Sequence, residues 1–348
     1  MSYKQTNYWN VDKGLTIEAE RELIKEAALW IKKGEVVAFP TETVYGLGGN
    51  ALDDEAIEKI FLAKGRPSDN PLIVHVANSE QLEEFVEFIP DKAKNLMKEF
   101  WPGPLTIILP KKEGISNRVT AGLDTVAVRI PDHPVALALL EEANVPVAAP
   151  SANLSGKPSP TTGEHVFYDL NGRIAGIVDG GATGVGVEST VVDCTVDIPM
   201  ILRPGGVTKE QLMEVIGEVT VDPALHEESV APKSPGVKYT HYAPKATLTV
   251  VNDFPNKIEE LVQEQKQKGY KVGVLTTDEN TTFYQKADLV LPCGSRNDLL
   301  SVATNLYDVL RSFDKIELDY IYAEPFPKEG VGVAIMNRLE KAAGGRVI

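Results

Sequence analysis

Apolar positions recur along the first two thirds of the chain at alternating helical and strand spacing. Leu23, Ala27, Trp30 and Ile31 fall on one helical face, and Gly34 follows as a stop. VVAF, residues 36–39, predicts a short buried strand. Asp53 and Asp54 can cap a helix that carries Ile57, Ile60 and Phe61 on one side and ends near Lys64 and Gly65. PLIVHV (71–76), TVAVRI (125–130), VPVAAP (145–150), STVVD (189–193) and MILRP (200–204) predict further strands. Pro134 suits the first turn of a helix after the second of these. Thr208 and Gln211 form a capping-box pattern for a helix ending at Gly217.

From residue 219 to 244 the periodicity fails, and Pro223, Pro232, Pro235, Gly236 and Pro244 break the chain. Beyond it the pattern is regular again. Strands at ATLTVV, KVGVLTT, ADLVLP and DYIYAE alternate with helices through IEELVQEQ, around residues 299–310 and around 333–343. Such alternation predicts a small parallel sheet of Rossmann-like kind. The expected division is a catalytic domain over residues 1–218, a linker or lid loop over 219–245 and a second domain over 246–348.

The length of 348 residues agrees with two domains at about 150 residues each. Apolar residues make up 43% of the chain, enough for a sizeable core. No apolar run approaches the roughly 18 residues that span a bilayer, and the N-terminal segment is polar. Cys194 and Cys293 stand far apart without metal-ligand spacing. These features predict a cytoplasmic protein with free thiols and no membrane contact. A net charge of −15 opposes a general nucleic-acid-coating role, but leaves room for a local basic pocket.

Five stretches carry candidate chemistry. PTETVYGLG, residues 40–48, leaves a strand and turns on glycines. Gly46, Gly48 and Ala51 match a loose dinucleotide pattern, but the next strand ends His75-Val76-Ala77 without the required acid, so that reading is rejected. A plain turn stays open. In KGRPSDNPLIVH, residues 64–75, Lys64 and Arg66 either favour a helix C-terminus or face one anion, and His75 is either a core histidine or a ligand contact. Ser151, Asn153, Ser155 and Ser159 crowd a loop directly after a buried strand, where open α/β sheets bind ligands. A solvated Ser/Pro loop is the alternative. Arg129, Ser189 and Arg203 lie in or at the ends of apolar strands, where an arginine needs a carboxylate or another anion. SPGVKYTHYAP, residues 234–244, is too rich in aromatic and cationic groups for a spacer and fits a loop that folds over a ligand.

Taken in order, PTETVYGLG, the KxR of Lys64 and Arg66, the SxN of Ser151 and Asn153, STVVD and LRPGG resemble the YrdC-like family. SPGVKYTHYAP followed by a Rossmann-like domain resembles its longer, two-domain threonylcarbamoyl-AMP synthases. The resemblance implies an α/β fold: a twisted mixed sheet in the first domain and a smaller parallel sheet in the second. It implies that ATP, L-threonine and bicarbonate or CO2 give threonylcarbamoyl-AMP and pyrophosphate, which other proteins use to modify tRNA. A carbamate oxygen would attack the α-phosphate, a step that needs positioning and charge stabilisation and no dedicated base. Carried over by position, Thr43, His75, Arg129 and Ser189 would hold threonine. Lys64, Arg66, Asn70, Ser151, Asn153, Ser159, Arg203 and Tyr242 would hold the nucleotide, with Lys64, Arg66, Ser151 and Asn153 at the reacting phosphate. Magnesium would arrive with ATP, held by phosphates and water, with no protein ligand assigned. The competing expectation is a translation-associated RNA-binding module without catalysis, against which the charge argues.

Overall fold

The computed structural model describes residues 5–11, 16–225 and 242–348. The chain forms two compact units: residues 1–155, 160–184 and 188–238 in one, and 156–159, 185–187 and 239–348 in the other. The first unit begins β1 (Asn7–Asn10), α1 (Ile17–Lys32), β2 (Val37–Phe39), β3 (Gly46–Asn50), α2 (Asp54–Lys64) and β4 (Ile73–His75). It continues α3 (Asp91–Phe100), β5 (Leu105–Pro110), α4 (Asn117–Thr120), β6 (Thr125–Arg129), α5 (Pro134–Ala143) and β7 (Val147–Ala148). It closes with α6 (Gly163–Leu170), β8 (Gly176–Asp179), β9 (Thr190–Asp193), β10 (Met200–Arg203), α7 (Lys209–Ile216) and β11 (Thr220–Val221).

Among the described residues these strands make one mixed sheet in the order β1-β8-β2-β3-β7-β4-β6-β5-β9-β10-β11. The strand period of two sorts side chains onto its faces. Val74, Ile107, Val126, Val128 and Val192 join one core with Ile57 and Ile60 of α2, Leu96 of α3 and Leu212 of α7. On the opposite face α1 and α5 pack Ile24, Ile31, Leu139 and Leu140 onto Val37, Phe39 and Val147. Farther along that second face Ile73, Ile108, Ala127, Val191 and Leu202 form a smaller cluster. His75, Thr106, Arg129 and Ser189 take the same alternation as this cluster, so polar groups share a face with a thin apolar floor.

Local signals account for the helix ends. The Asp53 side chain accepts from the backbone N–H groups of Glu55 and Ala56, and Gly65 ends α2 at φ 61°. Pro134 opens α5, and Thr208 with Gln211 completes a capping box on α7. The stretch read as a glycine turn is instead partly strand: β3 runs antiparallel to both β2 and β7.

The second unit contains β12 (Thr247–Val250), α8 (Asn256–Gln267), β13 (Val272–Thr276), β14 (Leu289–Pro292), α9 (Leu299–Ser312), β15 (Tyr320–Ala323) and α10 (Gly332–Ala342). Its strands are all parallel, in the order β12-β15-β13-β14. Ile258 and Val262 of α8 pack on Val272, Val274 and Tyr322. At the carboxyl edge the Arg296 guanidinium lies 4.4 Å from the Phe254 ring and donates to the fully buried Glu324 carboxylate at 2.8 Å. No helix among the described residues is long and apolar enough to cross a membrane. Both cysteines are buried and unbridged.

Candidate functional site

The segment between β2 and β3 organises the site. Gly46 and Gly48 leave β3 without side chains, and the Phe39 ring lies over the space. A Cβ at Gly48 would meet Phe39 at 2.8 Å and Val147 at 2.9 Å. Phe39 in turn stands edge-on to His75, with centroids 6.1 Å apart. Before β3, the Thr41 and Thr43 hydroxyls are 2.8 Å apart, and Thr41 donates to the Val44 carbonyl at 2.7 Å. Tyr45 anchors the end of the segment, its hydroxyl lying 2.9 Å from Asp179 Oδ1 and 2.7 Å from the Gly181 carbonyl, with one proton shared between the two acceptors.

A first cluster gathers around Arg129. Strands β4 and β6 pair His75 directly with Arg129. The guanidinium donates from Nη1 to the Thr43 hydroxyl at 3.0 Å and from Nε to the Gly103 carbonyl at 3.1 Å. Its Nη2 forms an ion pair with Glu42 Oε1 at 2.5 Å. Burial, with Arg129 adding to it, pushes the His75 imidazole down to about 3, so the ring is neutral near neutral pH. Its Nδ1 lies 3.3 Å from the Ile73 carbonyl, within reach of a hydrogen bond. Sequence reasoning missed Glu42; the one signal that could have found it is its place between Thr41 and Thr43, whose partners only the fold reveals.

A second cluster continues along the same face. The Ser189 hydroxyl lies 2.8 Å from that of Thr106. Arg203 reaches back past an irregularity in β10 and donates to the Ser189 carbonyl at 3.1 and 2.9 Å and to its hydroxyl at 3.1 Å. Gly205 lets the two backbones approach here: a Cβ at that position would meet the Glu188 carbonyl and the Thr190 amide at 2.3 Å.

The third cluster is the loop after β7. Lys64, only 3% exposed, donates to the carbonyls of Ser151 at 2.5 Å and Asn153 at 2.8 Å, and to Asn153 Oδ1 at 3.3 Å. The Ser151 hydroxyl donates to the same Oδ1 at 2.6 Å. The last residue of α2 thereby fixes the shape of the SxN loop. The Gly65 turn, with the Arg66 amide bonded to the Phe61 carbonyl at 3.1 Å, sends the chain on toward β4. Asn70 is 2% exposed, and neither polar atom of its amide has a hydrogen-bond partner among the described residues. A buried amide in that state has hydrogen-bonding capacity open to a ligand or to water.

The segment from Thr41 to Gly46 joins the first and third clusters. Thr43 bonds to Arg129, while the Tyr45 carbonyl accepts from Ala152 at 2.8 Å and Gly46 bridges Ser151. Ser159 and Tyr242 lie in the second unit, both buried, with Tyr242 at φ 67° and its ring 5.1 Å from that of Tyr307. Most of the expected covering loop, residues 234–241, lies outside the described residues. Among the described residues no group of three or more His, Cys, Asp or Glu could hold a metal ion.

A family model described as Telomere recombination (Sua5, YciO and YrdC) matches residues 30–205. A second, described as Threonylcarbamoyl-AMP synthase, C-terminal domain, matches residues 207–344. The chain is 59% identical over 345 residues to a Bacillus subtilis (strain 168) protein named threonylcarbamoyl-AMP synthase, spanning 99% of each. It is 51% identical over 330 residues to a Pyrococcus abyssi protein of the same name, spanning 93% of this chain and 95% of that one. The crystal structure of P. abyssi Sua5 complexed with L-threonine superposes with a TM-score of 0.92 at 49% identity, covering 99% of each chain.

Proposed function

Because this chain belongs to the threonylcarbamoyl-AMP synthase family, we propose that it condenses L-threonine, bicarbonate or CO2, and ATP into threonylcarbamoyl-AMP and pyrophosphate. The observation that carries this reading is the Thr41–Gly46 segment. It ties a buried arginine pocket suited to an amino acid to a Lys-Ser-Asn loop suited to phosphate. The threonine complex of the P. abyssi relative supports the amino-acid side of the assignment.

Arg129 donates two of its five N–H groups, to Gly103 and Thr43, and lies in an ion pair with Glu42; its remaining donors suit a threonine carboxylate. Thr43, the neutral His75 and Ser189 supply uncharged donors and acceptors around it. Lys64, Arg66, Asn70, Ser151, Asn153 and Arg203 belong to the nucleotide, and the resemblance assigns Ser159 and Tyr242 to it as well. Once threonine's amine carries CO2 as a carbamate, the carbamate oxygen attacks the α-phosphate and pyrophosphate leaves. The nucleophile is already anionic, so the work is alignment and stabilisation of phosphoryl charge. The Lys-Ser-Asn donor set suits phosphate oxygens. Magnesium would accompany the triphosphate and supply charge neutralisation, with Lys64, Ser151 and Asn153 holding phosphate oxygens and no side chain assigned as its ligand. Downstream tRNA threonylcarbamoyl-transferase proteins would consume the product. A net charge of −15 supports this reading over an RNA-binding module.

Side-chain choice tests the pocket. Valine nearly matches threonine in shape and lacks the hydroxyl, so it leaves buried polar groups unpaired at a cost of about 1–3 kcal/mol. Its kcat/KM is expected to fall roughly 5- to 150-fold below that of threonine, with serine between the two. Equal kcat/KM for valine and threonine would contradict the pocket.

A further inference from the structure

The carboxylate of Glu42 stands beside Arg129 with its oxygens buried, and among the described residues neither oxygen accepts a hydrogen bond. Its one close charged partner is Nη2 of Arg129 at 2.5 Å, the two side chains being 12% and 4% exposed. An ionised carboxylate accepts about four hydrogen bonds, and burying one without them is costly. The groups facing it are Arg129 from β6 and the His133 ring at the start of α5. His75 from β4 faces Arg129. His133 uses Nδ1 to accept from the Val135 amide at 3.3 Å. One buried cation and one buried anion, side by side and each with hydrogen-bonding capacity left over, match a zwitterion.

We propose that Glu42 binds the α-ammonium group of threonine and acts as the base that frees its amine for reaction with CO2. This rests on the synthesis reading and adds a catalytic residue to it. Arg129 takes the carboxylate and Glu42 the ammonium, which fixes the backbone of an α-amino acid before its side chain is read. One proton passes from the ammonium to an oxygen of Glu42, leaving a lone pair on nitrogen. That lone pair forms the N–C bond to CO2 while one C=O π pair moves onto oxygen. The second N–H proton leaves to water as hydroxonium, and the product is the carbamate anion. An ammonium cannot perform this addition, so a base is required in the carbamate step even though the phosphoryl step needs none.

The test compares the full chain with Glu42→Gln, which keeps shape and removes charge. The expected variant binds ATP as the original protein does, has a threonine KM raised roughly 10- to 100-fold, and regains activity as pH rises. Its rate follows the fraction of free threonine with a neutral amine, climbing up to about tenfold per pH unit below the amine's own pKa and levelling off above it, more steeply than the original protein. Glu42→Asp is expected to recover part of the loss. A second measurement needs no variant. The α-hydroxy analogue of threonine, which lacks the ammonium, should bind the original protein at least about tenfold more weakly than threonine does. Equal binding of the analogue and threonine overturns the proposal. So does an unchanged KM and pH slope in Glu42→Gln, and if the original protein still needs threonine to release pyrophosphate, the synthesis reading stands without Glu42.

Discussion

His75 shows how one residue ties the site to stability. Burial and the neighbouring Arg129 lower its ionisation to about 3, against an ordinary value of 6.5. The unfolded chain therefore takes up a proton at this ring over a range in which the folded chain does not. Its contribution is complete above about pH 6.5 and is lost as pH falls toward 3, with a slope of up to about 1.4 kcal/mol per pH unit. Urea unfolding of the original protein and of His75→Gln at several pH values between about 4 and 7 checks this, with a shallower slope expected in the variant. Identical slopes would mean that His75 is protonated in the fold. The motif residues Lys64, Arg129, Ser151, Asn153 and Arg203 were legible in the sequence as candidates; the fold joins Lys64 to Ser151 and Asn153, Arg203 to Ser189 and Arg129 to Thr43. Their present partners were not legible. Nothing in the order of residues says that Lys64 binds two carbonyls 87 and 89 residues away, or that Arg129 meets Glu42.

Helices α1, α2, α5 and α7 were readable, the last three because their ends carry their own chemistry in the Asp53 cap, Pro134 and the Thr208–Gln211 pair, whereas α3, α4 and α6 were passed over. Strand β3 was not, because GLGGN offers neither alternation nor β-branched residues; its pairing with β2 and β7 overrides its propensity. Strands β1, β5, β8 and β11 were also passed over, and β7 is shorter than its apolar run. The glycines of β3 have a packing reason that can be checked. Gly48→Ala would press a methyl group against Phe39 and Val147, destabilising the first unit by about 1–3 kcal/mol. Chemical denaturation of the single variant and of its combination with Phe39→Leu tests this: the double substitution should recover part of the loss. Full stability in Gly48→Ala would show that the Phe39 contact is not tight.

At the scale of the whole molecule, the broken periodicity after residue 219 and the regular alternation beyond it revealed a second parallel-sheet unit. The sequence did not reveal that residues 156–159 and 185–187 cluster with that unit, since these short excursions carry no pattern of their own. Nor did it reveal that Arg296 and Glu324 close the carboxyl edge of the second sheet. The central claim concerns the molecule as a catalyst: its pockets for an amino acid and for a triphosphate act on one reaction. Pyrophosphate release from ATP, measured with magnesium while threonine and bicarbonate are omitted in turn, tests it most directly. Release is expected only when both are present, in step with formation of threonylcarbamoyl-AMP. Release at the full rate with either one left out would contradict the account.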